Sequence, residues 1–304
     1  MKQVLLTGAS GFIGRQAIAP LVKKGFEVHC VYRTTKPDTV SDEKNVIWHK
    51  ADLLNRTDLK KIFDSVSPNY LLHLAWDVTP GSYLESVNNF DWLLSSLHLL
   101  KEFSKYGGKR AVCAGTCFEY DLRYRFCIEN LTPTVPSTYY GSCKCHLQSI
   151  GEKYAEKAGL DFAWGRIFYP YGPYEYPTRL VPSVILSLLS GEVAQCTHGN
   201  QIRDFLHVTD VADAFVSLLN SDVNGIVNIG SGKAVSIKEL VLQIANSLGK
   251  EEDIRLGALP ERTNEQPIIV ADTTRLKKEL RWHQKYSLEE GIADTISWWK
   301  NYRT

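Results

Sequence analysis

The stretch Thr7-Gly8-Ala9-Ser10-Gly11-Phe12-Ile13-Gly14 decides how this chain of 304 residues folds. It follows the apolar run Gln3-Val4-Leu5-Leu6, which has strand character, and leads into residues 12–24, where apolar positions recur at helical spacing until Gly25. Strand, tight turn and helix follow in that order. In such a unit Gly8 lets the chain turn sharply, Gly11 lets backbone approach a phosphate, and Gly14 lets the helix lie close to the strand. The helix N-terminus then faces an anion, so Gly8, Ser10, Gly11, Phe12, Ile13 and Gly14 are the candidate dinucleotide contacts.

Further along, 27–32, 46–50, 70–75 and 110–114 read as strands, and 57–66 and 84–105 as helices, the first with a cap at Asn55 or Thr57. This alternation predicts an α/β fold: a doubly wound parallel sheet covered on both faces, with ligands beyond the carboxyl ends of its strands. After residue 167 the rhythm loosens into Tyr169-Pro170-Tyr171-Gly172-Pro173-Tyr174-Glu175-Tyr176-Pro177, which is loop chemistry. Helical patterns resume at 181–190, 211–219, 237–248 and 288–302, with a strand near 226–229. The expected division is a dinucleotide-binding domain over 1–167 and a smaller mixed α/β substrate lobe over 168–304, with some segments crossing between them.

Composition narrows the partners. Apolar residues make up 44% and charged residues 23%, and the formal net charge of +1 leaves no basic stripe for a nucleic-acid backbone. No apolar run is long enough to span a bilayer, and Met1-Lys2 leads directly into the first strand, so a cytoplasmic location is expected. The seven cysteines show no paired spacing and are expected as reduced thiols, with no metal site. Cys143-x-Cys145 is a poor metal clip, because one intervening helical residue turns the two thiols apart.

Tyr140-Gly141-Ser142-Cys143-Lys144 puts a phenol and an amine four residues apart on a predicted helix, hence on one face. A neighbouring ammonium favours a phenolate, so Lys144 can bring Tyr140 into range as a proton donor or acceptor; the alternative is an ordinary exposed helix. Thr116, at the end of the fifth strand, can share a substrate oxygen with Tyr140.

These pieces, with Asp52-Leu53, His73-Leu74-Ala75, Tyr171-Gly172-Pro173, the run Arg203-Asp204-Phe205-Leu206-His207-Val208-x-Asp210-Val211-Ala212 and Asn228-Ile229-Gly230, resemble an extended short-chain dehydrogenase/reductase of the nucleotide-sugar epimerase/dehydratase group. The resemblance spans essentially the whole chain. It implies a Rossmann sheet, with Asp52 and Leu53 near adenine and Leu74 and Ala75 lining the cofactor channel. It further implies Thr116, Tyr140 and Lys144 as the catalytic trio, and Arg203 as a contact to the nucleotide or diphosphate of a nucleotide-activated sugar. Arg179 and Tyr169 are additional candidate substrate contacts. For Arg203 the alternative is a salt bridge to Asp204 or Asp210, and for the loop tyrosines it is plain packing.

Departures from the family narrow the reaction. Its 4,6-dehydratases carry Asp-Glu directly after the threonine, where this chain has Cys117-Phe118, and Glu119 is displaced by one. An asparagine common in the family is replaced by Phe168 or Tyr169. The Cys117–Asp121 run and Trp76-Asp77 are similar to a branch of sugar 4-reductases. At the end of the second strand stand Tyr32-Arg33, with the first acid at Asp38, so Arg33 favours NADP(H) over NAD(H); its alternative is stacking on adenine, which suits either. The expected function is therefore an NADPH-dependent ketoreductase acting at C4 of a nucleotide-linked keto sugar. The alternatives are an NAD-dependent 4-epimerase with tightly held cofactor, or a non-catalytic dinucleotide sensor. A homodimer through the apolar residues Trp92, Leu93, Leu94, Leu97, Leu99 and Leu100 is expected, unless those residues serve the core.

Overall fold

The computed structural model describes residues 2–37, 44–261 and 265–302. In chain order the first part comprises β1 (Lys2–Thr7), α1 (Gly14–Lys23), β2 (Phe26–Tyr32), β3 (Val46–Lys50), α2 (Arg56–Ser65), β4 (Tyr70–His73), α3 (Asn88–Lys105) and β5 (Arg110–Thr116). Then come β6 (Phe126–Cys127), α4 (Tyr139–Ala158), β7 (Asp161–Ile167), β8 (Tyr169–Tyr171), α5 (Leu180–Leu189), β9 (Ala194–Gln195), β10 (Ile202–Arg203) and β11 (Phe205–His207). The rest is α6 (Val208–Leu219), β12 (Gly225–Ile229), β13 (Val235–Ser236), α7 (Ile237–Leu248), β14 (Ile254–Arg255), β15 (Ile268–Ala271), α8 (Thr274–Lys278) and α9 (Leu288–Tyr302).

Seven strands form one parallel sheet in the order β12-β7-β5-β4-β1-β2-β3. Strand order reverses beside β1, which places the ligand crevice at the carboxyl ends of β1 and β4. One face of the sheet is sealed by α1 and α6 through Ile18, Leu21, Phe215 and Leu219; the other is sealed by α2, α3 and α4 through Leu59, Phe63, Leu99, Phe103 and Leu147. A second core, built on Val184, Ile185, Leu188, Leu240, Ile244, Ile292 and Ile296, joins α5, α7 and α9. Segment 205–229 crosses back from it: α6 packs on α1, and β12 pairs with β7 as the edge of the large sheet. Among the described residues no helix is long and apolar enough to cross a membrane.

Local chemistry sets the helix bounds near the site. Asn55 caps α2 by accepting from Thr57 N at 2.9 Å. Thr138 caps α4 by accepting from Gly141 N at 3.0 Å, and Gly159, at φ +66°, ends that helix. The long third helix begins at Asn88, not at Leu84 as its apolar pattern predicts. Leu84 is taken by the neighbouring element, its carbonyl accepting the Tyr140 N–H at 2.8 Å, while Asn89 ties down the Tyr83 and Ser86 carbonyls. The fourth strand stops at His73, two residues short of expectation, with one further bond toward β1 from Leu74 N to Thr7 O at 3.3 Å.

The apolar stripe on α3 mostly serves the core. Trp92, Leu99 and Leu100 are buried and Leu93 and Leu97 pack against them, leaving Leu94 exposed beside Phe90. All seven cysteines are free thiols, six of them buried and Cys145 half-buried.

Candidate active site

The phosphate loop is shaped so that side chains beyond hydrogen would break it. Gly8 sits at φ +71°, and a Cβ there would lie 2.8 Å from Ala75 N; on Gly14 it would lie 2.0 Å from Gly8 O. Gly11 N donates to Gly8 O at 2.9 Å, closing the turn, and Ile13 leads directly into α1. The backbone of Leu74 and Ala75 therefore lies against the loop, and this tight backbone at a helix N-terminus fits a dinucleotide diphosphate. Arg15 reinforces the loop, Nη2 donating to Ser10 O at 2.7 Å, and its guanidinium lies 3.9 Å from the Tyr174 ring centroid. Asp52 accepts from Leu54 N at 3.0 Å just beyond β3, with Leu53 buried beside it. Arg33 is exposed directly after β2; Asp38 lies outside the described residues.

At the other side of the crevice, Thr116, Tyr140 and Lys144 converge, all buried. Thr116 ends β5 and caps the following 3-10 turn; its N–H donates to Glu119 Oε1 at 2.7 Å. Lys144 Nζ donates to Ala114 O at 2.7 Å and lies 3.9 Å from the Trp76 ring centroid. Tyr140 is gripped edge-on by Tyr83, at 5.0 Å, and by Trp76, at 6.1 Å.

The expectation that Lys144 lowers the Tyr140 pKa is not met in this structure. Burial, reinforced by Tyr83, raises the phenol above its ordinary range, and the nearby Thr116 hydroxyl only partly offsets that. Burial also brings Lys144 down to about 7, opposed by the negative charge of Glu119. The physical reason is direction: the ammonium points at Ala114 and Trp76, and lies 6.0 Å from the Tyr140 ring centroid.

Glu119, considered from the sequence only as a displaced acid, is a brace. It is sealed from solvent and accepts from Arg166 Nε at 2.7 Å and Trp164 Nε1 at 3.0 Å. An arginine inside the strand pattern Ala163-Trp164-Gly165-Arg166-Ile167 signals such a partner, because a buried charge demands one.

Arg203 is buried and paired, but with Glu265, at 2.9 Å; the two aspartates weighed as its alternatives are engaged elsewhere. Asp204 accepts from Ser231 N, Ser231 Oγ, Gly232 N and Ala271 N, and Asp210 from Lys285 N and Tyr286 N. Glu265 lies some sixty residues away in the chain, beyond the reach of local pattern. Arg203 also stands 5.4 Å from the Tyr169 ring centroid.

The loop tyrosines divide. Tyr169 sits beside Arg203, with burial raising its phenol and the Cys117 thiol near it. Tyr171 packs against Phe205 and His207, Tyr174 covers Arg15, and Tyr176 is exposed. Arg179 caps α5 and reaches back across the crevice, Nη2 donating to Val78 O at 3.3 Å, with its guanidinium 5.2 Å from the Tyr83 ring centroid.

A parallel sheet with a glycine cradle at its crevice, facing a buried tyrosine and lysine, defines a dinucleotide-dependent class of protein. The family model for the NAD dependent epimerase/dehydratase family matches residues 4–230, and the chain belongs to that family. It is similar to UDP-glucose 4-epimerase of Pisum sativum, 26% identical over 341 aligned residues covering 99% of this chain and 96% of the relative. It is also similar to CDP-abequose synthase of Salmonella typhimurium, 27% identical over 303 residues covering 96% and 97%. The solved structure of Thermotoga maritima UDP-glucose 4-epimerase with UDP-glucose superposes with a TM-score of 0.88, at 25% identity, covering 99% of this chain and 100% of that one.

Proposed function

We propose that this protein is an NAD-dependent nucleotide-sugar 4-epimerase, with Thr116, Tyr140 and Lys144 as its catalytic groups. The observation that carries this is the convergence of Thr116, Tyr140 and Lys144, all buried, across the crevice from the phosphate loop. The epimerases among its relatives point the same way.

The bound dinucleotide supplies a reversible hydride acceptor for the sugar's C4. Tyr140, once ionised to the phenolate, would take the O4 proton as C4 is oxidised and return it when C4 is reduced from the opposite face, so that no net redox change remains. Thr116 orients O4. Lys144 supplies positive charge beside the dinucleotide ribose and the phenolate. Arg203, buried against Glu265, meets the substrate's diphosphate, with Tyr169 and Arg179 flanking the sugar. Cys117 stands where a dehydratase would need an acid, and burial holds its thiol protonated. Exposed Phe90 and Leu94 on α3, with Ile150 on α4, support a homodimer.

A second reading is an NADPH-dependent 4-ketoreductase. Arg33, exposed after β2, suits a 2′-phosphate. The alignment with CDP-abequose synthase spans 303 positions, fewer than the 341 of the epimerase alignment.

One preparation separates the two. The purified protein, dialysed and then denatured, is expected to release NAD, and before denaturation to interconvert C4 epimers of a nucleotide sugar with no dinucleotide added. Protein that emerges free of nucleotide, and consumes NADPH with a nucleotide-linked 4-keto sugar, overturns the epimerase in favour of the reductase.

A further inference from the structure

Lys144 is a buried ammonium without a carboxylate of its own. Among the described residues it forms no ion pair; it donates to the Ala114 carbonyl and lies 3.9 Å from the Trp76 ring centroid, much nearer than the rings of Trp164, at 5.9 Å, and Tyr140, at 6.0 Å. The indole is locked in place. Its Nε1 donates to Asn89 Oδ1 at 2.8 Å, and its ring stacks on Trp92 at 6.0 Å and meets Tyr140 edge-on. Asn89 is itself fixed on the Tyr83 and Ser86 carbonyls.

We propose that Trp76 is a positioning residue for the Tyr140/Lys144 pair, its indole face holding Lys144 as the charged ammonium in a site closed to water. The other groups that face Lys144 leave this task open. His73 on β4 is pushed down to about 3 and the Cys113 thiol on β5 up to about 12, so both are neutral at ordinary pH. Tyr140 on α4 is likewise neutral, its phenol raised by burial. Glu119, in the turn after β5, is negative but engaged by Arg166 and Trp164, and acts on Lys144 only from a distance. A cation gains most from an aromatic face when both are desolvated, and tryptophan offers the strongest such face.

The proposal rests on the reading of Lys144 as the cation beside the dinucleotide, and its test separates the two. The dissociation constant of NADH, added to protein stripped of bound nucleotide, is measured by calorimetry from about pH 6 to about pH 10, the range in which a lowered lysine titrates. In the unaltered protein binding weakens with rising pH as Lys144 loses its charge. Trp76→Leu keeps an apolar cover but no π face, and is expected to move the onset of weakening down by about one pH unit. Trp76→Phe, with a weaker face, moves it less and carries the test where loss of indole bulk unfolds the chain. An onset unchanged in both variants, or moved upward, overturns the proposal. Lys144→Met is expected to abolish the pH dependence; if the weakening persists there, Lys144 is not the titrating group and the site reading falls as well.

Discussion

Arg166 Nε donates to Glu119 Oε2 at 2.7 Å with both side chains closed off from solvent, directly beneath the threonine that ends β5. The same carboxylate accepts the Thr116 N–H, so one ion pair holds the backbone of a candidate catalytic residue. Arg166 Nη2 has no partner in this setting, so the guanidinium depends heavily on Glu119.

Glu119→Gln leaves that guanidinium uncompensated, and removing one partner of a buried pair costs about 3–5 kcal/mol. Urea unfolding at neutral pH measures it. A loss below about 1 kcal/mol would mean that water reaches Arg166 and that the pair is not the brace described here.

Tyr140→Phe removes the proton-transferring oxygen while keeping the ring that Trp76 and Tyr83 hold. Turnover is expected to fall by about 100- to 10,000-fold, the usual worth of a positioned acid or base. NADH affinity, measured in parallel, changes little. Unimpaired turnover would point to a different proton carrier.

Gly14→Ala places a methyl where Gly8 O already lies, 2.0 Å from the new carbon. The turn must open, and dinucleotide affinity is expected to drop at least about tenfold, or 1.4 kcal/mol. Calorimetric titration with NAD checks this, with unaltered affinity as the contrary result.

Arg203→Met leaves Glu265 without its cation and removes the charge proposed to meet the substrate diphosphate. The KM for a nucleotide sugar should rise roughly tenfold or more, as befits the loss of a charge-assisted contact. A kcat defect with unchanged KM would instead place Arg203 away from the substrate.

His73 gives the fold an acid sensitivity of predictable sign. It is buried between Thr7 Oγ1, at 2.7 Å, and Ser96 Oγ, at 2.9 Å, and burial lowers its pKa to about 3 from an ordinary 6.5. The unfolded chain therefore binds one more proton as pH falls from 6.5 toward 3, and stability declines there by up to about 1.4 kcal/mol per pH unit. His73→Gln lowers stability at pH 7 but flattens this slope, which urea titrations at about pH 5 and 7 compare. An equal slope in the variant would assign the sensitivity to other groups.

The parallel sheet was legible in the sequence because its strands are short apolar runs separated by helices, the first with a cap legible as Asn55 or Thr57. The glycine turn and the Tyr140/Lys144 spacing were legible for the same reason: each is set by neighbours in the chain. What escaped depends on residues far apart. Glu265 pairs with Arg203 from 62 residues away in the chain, Trp76 covers Lys144 from another strand end, and β12 leaves the second lobe to complete the first sheet. Periodicity cannot show which hydrophobic strand joins which sheet, nor which way a buried ammonium points.

The placement of β12 and Tyr174 bears on how the chain matures as it is made. Until residues 225–229 emerge, β7 has a bare outer edge, and until Tyr174 and the α9 residue Trp298 behind it are in place, Arg15 is uncovered. The phosphate loop thus precedes in the chain the residues that cover Arg15 beside it. A chain folding from its N-terminal side can form most of its sheet before the β12 edge and the Tyr174 cover are in place.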